Sequence, residues 1–255
     1  IRALQEGAKD FLQKPFETVE VLNRIRNMLE VRLLHKQVRD QNLILEQKVH
    51  ERTRELETTR LDVIRRLGQA AEYRDNETGL HVIRMSQYCE QLALAVGVEA
   101  SDATLLLNAS PMHDLGKIGI PDSILLKPGK LDADEWETMK SHTLIGAELL
   151  SGSDHPLMVL GREVALTHHE RWDGDGYPNH LRAEEIPLMG RITTLCDVFD
   201  ALLSARPYKK AWTEAEAMDL IRTESGKQFN PMLVEAFFDI SANILSIRAG
   251  LLDDA

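Results

Sequence analysis

The stretch from Val31 to Leu67 contains neither glycine nor proline, and it limits the fold more than any other feature of the sequence. It predicts one continuous helix, because glycine and proline are the residues that most weaken or end helices. Its apolar residues at heptad-like spacing, with a register shift near the third, are Val31, Val38, Leu45, Val49, Leu56 and Val63. This spacing indicates a parallel coiled coil in a homodimer. One exposed helix packed on its own domain is the alternative.

Two segments precede the main body of the sequence. Residues 1–30 contain Phe11-Leu12, then Lys14-Pro15, then apolar residues at helical spacing. They predict a strand, a turn and an amphipathic helix. Residues 31–72 form the predicted coiled coil. Because the chain begins with Ile1 and lacks a signal-peptide pattern, we expect a piece of a longer, cytoplasmic protein.

The remaining segment, 73–250, is dominated by apolar residues at helical spacing. Asp132 with Glu135, and Thr213 with Glu216, have the spacing of capping boxes, so each pair predicts the start of a helix. Alternating strand-like patterns are scarce in this segment. The sequence therefore predicts an all-α domain of about seven helices.

Composition excludes several classes of protein. The formal net charge of −11 disfavours binding to a nucleic acid polymer, and 43% apolar residues exclude wholesale disorder. The sequence contains no run of about 18 apolar residues, so no membrane span is predicted. Cys89 and Cys196 are too few for a disulfide framework or a cysteine-rich zinc module. Seven of the nine histidines lie after residue 60 with the acidic excess, which fits either metal binding or a solvated acidic surface.

Histidines and carboxylates recur beside apolar runs in this acidic part. His113-Asp114 follows an apolar helix, where a buried carboxylate needs a cation or another partner. Asp197 and Asp200 lie within an apolar helix and need the same compensation. His168-His169 ends a further apolar run. A capping role for Asp114 and an exposed loop around the paired histidines are the alternatives.

Two further positions are weaker when taken alone. Glu77 and His81 are four residues apart, which places them on one helix face, although an exposed pair is the alternative. His142 lies among apolar residues on the helix that begins after Asp132, where a core histidine is the alternative. Together these nitrogen and oxygen ligands, without a thiol set, are typical of a multinuclear iron, manganese or zinc site. Such a site predicts a metal-dependent hydrolase of phosphate esters.

The order of these motifs resembles the HD-GYP family, a branch of the HD-domain metal-dependent phosphohydrolases that hydrolyses cyclic di-GMP. The resemblance covers about 62–245 and implies an HD-domain helical bundle. Besides the metal positions, it rests on His113-Asp114-Leu115-Gly116-Lys117, Gly176-Tyr177-Pro178 and Arg206-Pro207-Tyr208-Lys209. It implies hydrolysis of cyclic di-GMP to pGpG and potentially to GMP.

The resemblance also implies a metal centre of two or three divalent ions, with iron or manganese expected. Asp114 would bridge two of the ions, and the presence of Glu77 favours three. The implied ligands are Glu77, His81, His113, Asp114, His142, His168, His169 and Asp197.

Five more residues receive roles from the same resemblance. Lys117 would protonate the leaving ribose oxygen or hold the scissile phosphate, and Asp75 would orient Lys117 or the attacking water. The residues that would bind the substrate are Tyr177, Arg206 and Lys209.

Residues 1–30 resemble the end of a receiver domain, with Lys14 at its phosphate-contacting position. They imply a two-component response regulator with an upstream sensor kinase, a homodimer through 31–72, and diguanylate cyclase domains as partners of the Gly-Tyr-Pro loop. Asn179-His180 and Cys196 depart from the family pattern, which bears on loop shape and partner contacts. Two other functions stay open: a catalytically silent HD-GYP binding module, and a hydrolase of another cyclic dinucleotide such as cyclic GMP-AMP.

Overall fold

The computed structural model describes residues 5, 7–8, 10–12, 14–75, 79–204 and 211–251, and the elements found in these ranges are helical. The first six α-helices are α1 (Thr18–Arg74), α2 (Gly79–Ala95), α3 (Ala100–Ala109), α4 (Asp122–Leu125), α5 (Ala133–Lys140) and α6 (His142–Leu149). They are followed by α7 (Pro156–Thr167), α8 (Leu188–Leu203), α9 (Glu214–Thr223), α10 (Pro231–Asp239) and α11 (Ser241–Gly250). Short 3₁₀ helices cover Ser110–Met112, Leu115–Gly119 and Ala183–Glu185. The all-α prediction is confirmed.

The chain divides into two units, Ile1–Thr59 and Arg60–Ala255. α1 contains the whole of the helix predicted for 31–72. In the first unit its apolar side chains are exposed: Leu45 is 58% exposed and Leu56 is 70% exposed. The coiled coil and the dimer stay predictions.

The N-terminal segment differs from the sequence prediction at one point. Phe11 and Leu12 do not form the predicted strand, whereas the helix predicted after Pro15 is present as the start of α1. A strand needs a neighbouring strand to pair its backbone groups, and the described residues supply none.

The core of the second unit is built from the apolar faces of α2, α3 and α7 to α11. The ring of Phe199 packs edge-on against Tyr88 at 6.0 Å and Phe237 at 4.9 Å. All three residues are fully buried. Burying a large apolar side chain stabilises a fold by about 1.5–3 kcal/mol, so these contacts fix α2, α8 and α10 relative to one another.

Two sequence expectations for this unit need correction. Between 73 and 250 the described residues form ten α-helices rather than about seven, because short turns divide the longer apolar runs. His142 does not lie on the helix that follows Asp132: that helix ends at Lys140, and His142 begins α6. Ser141 marks the break, where its hydroxyl donates to the Thr138 carbonyl. The capping boxes at Asp132 and Thr213 are confirmed.

A glycine brings two elements of the site unusually close together. A Cβ atom on Gly116 would lie 1.8 Å from the carbonyl oxygen of His142 and 2.5 Å from the backbone nitrogen of Gly146. Only glycine allows the 3₁₀ helix Leu115–Gly119 to rest directly on α6. This contact places Asp114 beside His142. Among the described residues, no helix combines the length and apolar character needed to cross a bilayer.

Candidate metal centre

Four buried histidines share one hydrogen-bonding arrangement. In each, Nδ1 faces an oxygen acceptor: Ser110 O for His113 (2.9 Å), Met139 O for His142 (2.7 Å), Val164 O for His168 (3.1 Å) and Asp200 Oδ2 for His81 (2.9 Å). A carbonyl or carboxylate oxygen accepts, so Nδ1 carries a proton and, in the neutral ring, Nε2 holds the lone pair. The protein has therefore prepared four Nε2 atoms as ligands.

Two of these Nε2 atoms converge on one carboxylate oxygen. His142 Nε2 and His168 Nε2 are 3.5 Å apart, and they lie 3.2 and 3.4 Å from Asp114 Oδ1. Lone pairs and a carboxylate at these distances repel one another in a buried site unless positive charge lies between them. His169 offers a further ligand atom within 4.8 Å of the other three. The donor set fits a divalent cation with nitrogen and oxygen ligands.

A second group of ligand atoms lies around His113. Its Nε2 is 3.8 Å from Asp197 Oδ1 and 3.8 Å from Glu72 Oε1. Asp197 Oδ1 is also 3.2 Å from His81 Nε2. Ligand atoms of Glu72, His81 and His113 all lie within 4.8 Å of one another. This group fits a second cation.

Asp114 lies between the two groups. Its Oδ1 faces His142 and His168, whereas its Oδ2 is 3.3 Å from His113 Nε2. A carboxylate that presents one oxygen to each group can bridge two metal ions. The position of Asp114 between the two groups therefore suits a centre with two adjacent metal ions.

The pKa values of the histidines differ between the two groups of ligand atoms. Burial alone would lower the pKa of His113, but the carboxylates of Asp114 and Asp197 raise this pKa to about 9. Burial holds the pKa of His168 below its usual value, and burial with the neighbouring imidazoles lowers the pKa of His169 further. A metal ion must displace the proton from His113, whereas His168 and His169 already favour the neutral form that binds metal.

Asp200, noted in the sequence with Asp197, has a different role. Its carboxylate is fully buried and accepts from the Arg84 guanidinium at 2.8 Å and from Arg248 at 3.3 Å. It also holds Nδ1 of His81. Burial would raise the pKa of Asp200, but His81 and Arg84 lower it below its usual value. Asp200 therefore orients a ligand and has no need of a metal ion for its own compensation.

Lys117 and Asp75 lie at the edge of the centre. The Lys117 ammonium donates to Asp75 Oδ2 at 2.6 Å and lies 2.8 Å from Asp114 Oδ2. The Lys117 side chain is 12% exposed, so this cation beside the ligand carboxylate is mostly buried. This hydrogen bond is the contact that an orienting role of Asp75 on Lys117 would need, and the roles of both residues stay predictions.

Tyr177 forms one wall above the histidines. Its ring stacks on His169 with 4.7 Å between centroids and a 27° interplanar angle, and Trp136 meets it edge-on at 6.0 Å. The loop is shaped by Glu170, whose carboxylate accepts from the backbone nitrogens of Asn179 (2.7 Å) and Leu181 (3.0 Å). An aromatic face at the mouth of the site is suited to stacking on a nucleobase.

The structure brings together most of the predicted residues and adds others. The predicted ligands that it places at the centre are His81, His113, Asp114, His142, His168, His169 and Asp197. Glu77, Arg206 and Lys209 lie outside the described residues. Glu72 was missed because it lies in a charged helical stretch that resembles a solvated surface. Its one signal is the pair Ala70-Ala71 before it, which is too weak to use.

Known proteins show a close relationship in sequence. A family profile described as HD domain matches residues 46–233, which is most of the chain. The chain belongs to the HD-domain family. The membership inferred from the ordered motifs is therefore confirmed, whereas the receiver-domain remnant stays a prediction.

Individual relatives of this HD-domain chain carry two kinds of name. The chain is 45% identical over 234 residues to the cyclic di-GMP phosphodiesterase response regulator RpfG of Xanthomonas campestris, covering 92% of this chain and 62% of the relative. It is 42% identical over 249 residues to the 3′3′-cGAMP-specific phosphodiesterase 2 of Vibrio cholerae, covering 98% of this chain and 46% of the relative. The chain thus spans less than two thirds of either relative.

A solved structure supports the fold of the HD-domain unit. The crystal structure of a cyclic GMP-AMP-specific phosphodiesterase of Vibrio cholerae superposes with a TM-score of 0.55 at 20% identity. The match covers 73% of this chain and 50% of the other. At this identity the similarity establishes the helical architecture alone.

Proposed function

We propose that this HD-domain chain is a metal-dependent phosphodiesterase that hydrolyses cyclic di-GMP to pGpG, with GMP as a potential second product. The observation that carries the proposal is the position of Asp114. Its two oxygens face separate groups of imidazole nitrogens, and Lys117 lies beside it. The names and identities of the relatives support the same substrate class.

Two or three divalent ions, iron or manganese, would occupy the centre. The proposed ligands are Glu77, His81, His113, Asp114, His142, His168, His169 and Asp197, with Glu72 added from the geometry. Bound there, the ions would lower the pKa of a coordinated water and neutralise charge on the phosphoryl group. The burial of the ligands limits competing water and strengthens these electrostatic effects.

The chain's own residues supply the remaining steps. The Lys117 ammonium, held by Asp75, would protonate the departing 3′ oxygen as the bond to phosphorus breaks. Tyr177 would stack on a base of the substrate at the mouth of the site. Arg206 and Lys209 would hold the phosphates through charge-assisted hydrogen bonds.

The assembly of the full protein is part of the proposal. We place this unit at the output end of a cytoplasmic response regulator, with residues 1–30 as the remnant of its receiver domain and a sensor kinase upstream. The exposed apolar residues of α1 would pair two copies in a parallel coiled coil. The loop at Tyr177 would meet diguanylate cyclase domains.

The experiment is metal quantification and product analysis on protein purified without oxygen. The double substitution His113→Ala, Asp114→Ala should abolish both bound metal and pGpG formation. The exposed adjacent pair His50→Ala, Glu51→Ala is the matched control and should keep both. Wild-type turnover in the first variant would contradict the proposal.

Two alternatives are decided by the same samples. Bound metal without any product would favour a catalytically silent binding module. A relative named for 3′3′-cGAMP makes a cyclic GMP-AMP substrate the second candidate. Turnover of both dinucleotides in one mixture decides between them, because the preferred substrate is consumed first.

A further inference from the structure

Arg74, the last residue of α1, binds the backbone of the segment that carries Lys117. Its guanidinium donates to the carbonyl oxygens of Lys117 (2.8 Å), Ile118 (2.7 Å) and Ile120 (2.7 Å). It also donates to the Asp122 carboxylate at 2.7 Å. One side chain therefore makes four short contacts within a stretch of six residues, 117–122, in another part of the chain.

These carbonyls lie at the end of the 3₁₀ helix Leu115–Gly119. Helix ends leave carbonyl oxygens without helical partners and carry partial negative charge, so a cation is stabilising there. The planar guanidinium can contact several oxygens at once, which an ammonium cannot do in the same way. Arg74 is thus suited to holding backbone, in addition to forming an ion pair.

The segment is anchored by buried contacts at Gly116 and at Ile120, which is 1% exposed, but by less between them. Gly116 packs directly on α6, but the two residues after Lys117 offer less: Ile118 is 58% exposed, and Gly119 has no side chain. Between Gly116 and the buried Ile120, the contacts of Arg74 hold the backbone. The position of the Lys117 ammonium, 2.8 Å from Asp114 Oδ2, depends on that backbone.

We propose that Arg74 is a positioning residue of the hydrolytic site: by holding the backbone of residues 117–120, it sets the Lys117 ammonium against Asp114. Two adjacent residues then hold the same segment: Arg74 binds its backbone carbonyls, and Asp75 binds the Lys117 side chain. This inference rests on the proposed phosphodiesterase function, in which Lys117 acts on the leaving group.

The test compares Arg74→Ala with wild-type protein carrying its metal. We expect kcat to fall about 10–100-fold, because a displacement of about 1 Å can cost that much, while KM changes less than about threefold. Metal content should stay at the wild-type level. Added ethylguanidinium should restore part of kcat, since it supplies the missing donors. Amide hydrogen exchange in a peptide covering 115–122 should become faster.

Three variants serve as comparisons. Arg66→Ala removes the same residue type two turns earlier on α1, where Arg66 pairs with Asp62 alone among the described contacts and is 75% exposed; kcat should be unchanged. Asp122→Ala removes the exposed ion pair but leaves the carbonyl contacts, so kcat should fall less than about threefold. Arg74→Lys keeps the positive charge but lacks the planar guanidinium, so its loss of kcat should be intermediate. This variant keeps the inference testable if Arg74→Ala does not fold.

Several outcomes overturn the inference. Wild-type kcat in Arg74→Ala would do so, as would a loss of kcat that comes with loss of metal and no response to ethylguanidinium. A wild-type protein without turnover would contradict the proposed function instead. Amide hydrogen exchange then still tests the backbone contact. Exchange in 115–122 that is the same in Arg74→Ala and the wild type would show that Arg74 does not hold this backbone.

Discussion

The two units of the chain depart from the usual distribution of polar and apolar residues in opposite directions. On α1 in the first unit, large apolar side chains are exposed, with Leu33 at 67% and Leu56 at 70%. In the second unit, Glu72, His113 and Asp114 are buried at the centre. Exposed apolar surface is costly in water, and buried polar groups are costly without compensation. The two units therefore fit different proposed partners: a second apolar helix for the first unit and metal cations for the second.

The comparison predicts that removing a negative charge from the centre of the second unit has the largest effect on metal binding and turnover. Asp114→Asn keeps the shape of the side chain but removes the negative charge between the two imidazole groups. We expect loss of bound metal and a fall in kcat/KM of at least about 10³-fold, since charge stabilisation of this kind contributes several kcal/mol. Elemental analysis and product formation measure both effects. Asp154→Asn, at an exposed position, is the control, and full metal content in Asp114→Asn would refute this view of the centre.

The buried charges that do not face the metal should produce the next largest effect. Asp200→Asn leaves Arg84 and Arg248 without their carboxylate, so the free energy of unfolding should fall by about 3–5 kcal/mol. Metal affinity should fall about 10–100-fold because His81 loses its orienting acceptor. Denaturant unfolding and metal titration measure these quantities.

The matched control for that variant is Asp239→Asn, which changes an exposed carboxylate at the end of α10. It should leave both quantities unchanged. If Asp200→Asn bound metal as tightly as the wild type, His81 would have to be oriented by packing alone.

A smaller loss of stability is expected where the backbone segments of the site touch. Gly116→Ala would place a Cβ atom against the His142 carbonyl, and overpacking of this kind costs about 1–3 kcal/mol. Thermal unfolding measures the loss. Gly250→Ala meets no atom within 4 Å and lies on α11, so its stability should match or slightly exceed that of the wild type. Equal stability of the two variants would mean that α6 can move away from the 3₁₀ helix without cost.

The smallest effect on turnover is expected from the first unit. Leu45→Glu with Leu56→Glu should convert a dimer to a monomer in light scattering, because the charges would face each other across the coiled coil. The kcat of the second unit should change less than about twofold, as these positions lie far from the ligands in sequence and in the separate unit. Gln47→Glu on the same helix adds charge away from the apolar spacing and should stay dimeric. A monomeric wild type would disprove the coiled coil.

Much of the centre could be predicted because its ligands lie in short, ordered motifs. His113-Asp114 and His168-His169 end apolar runs, and this local context already indicated burial. The pairing of Asp200 with Arg84, 116 residues earlier, could not be predicted in the same way. The contact of Arg74 with Ile120 also joins segments that no periodicity connects. Such contacts depend on helix packing, which local sequence spacing does not determine.

The network around Asp200 has a practical consequence for anyone who shortens this protein. Arg248 on α11 donates to Asp200 and to the Leu203 carbonyl, and the carbonyl of Leu251 accepts from Arg84. A fragment that stops before Ser241 would contain the proposed metal ligands and Arg84, yet it would lack Arg248 and Leu251, which support Asp200 and Arg84 behind His81. The minimal expression boundary therefore lies after Leu251, well beyond the last ligand in the sequence.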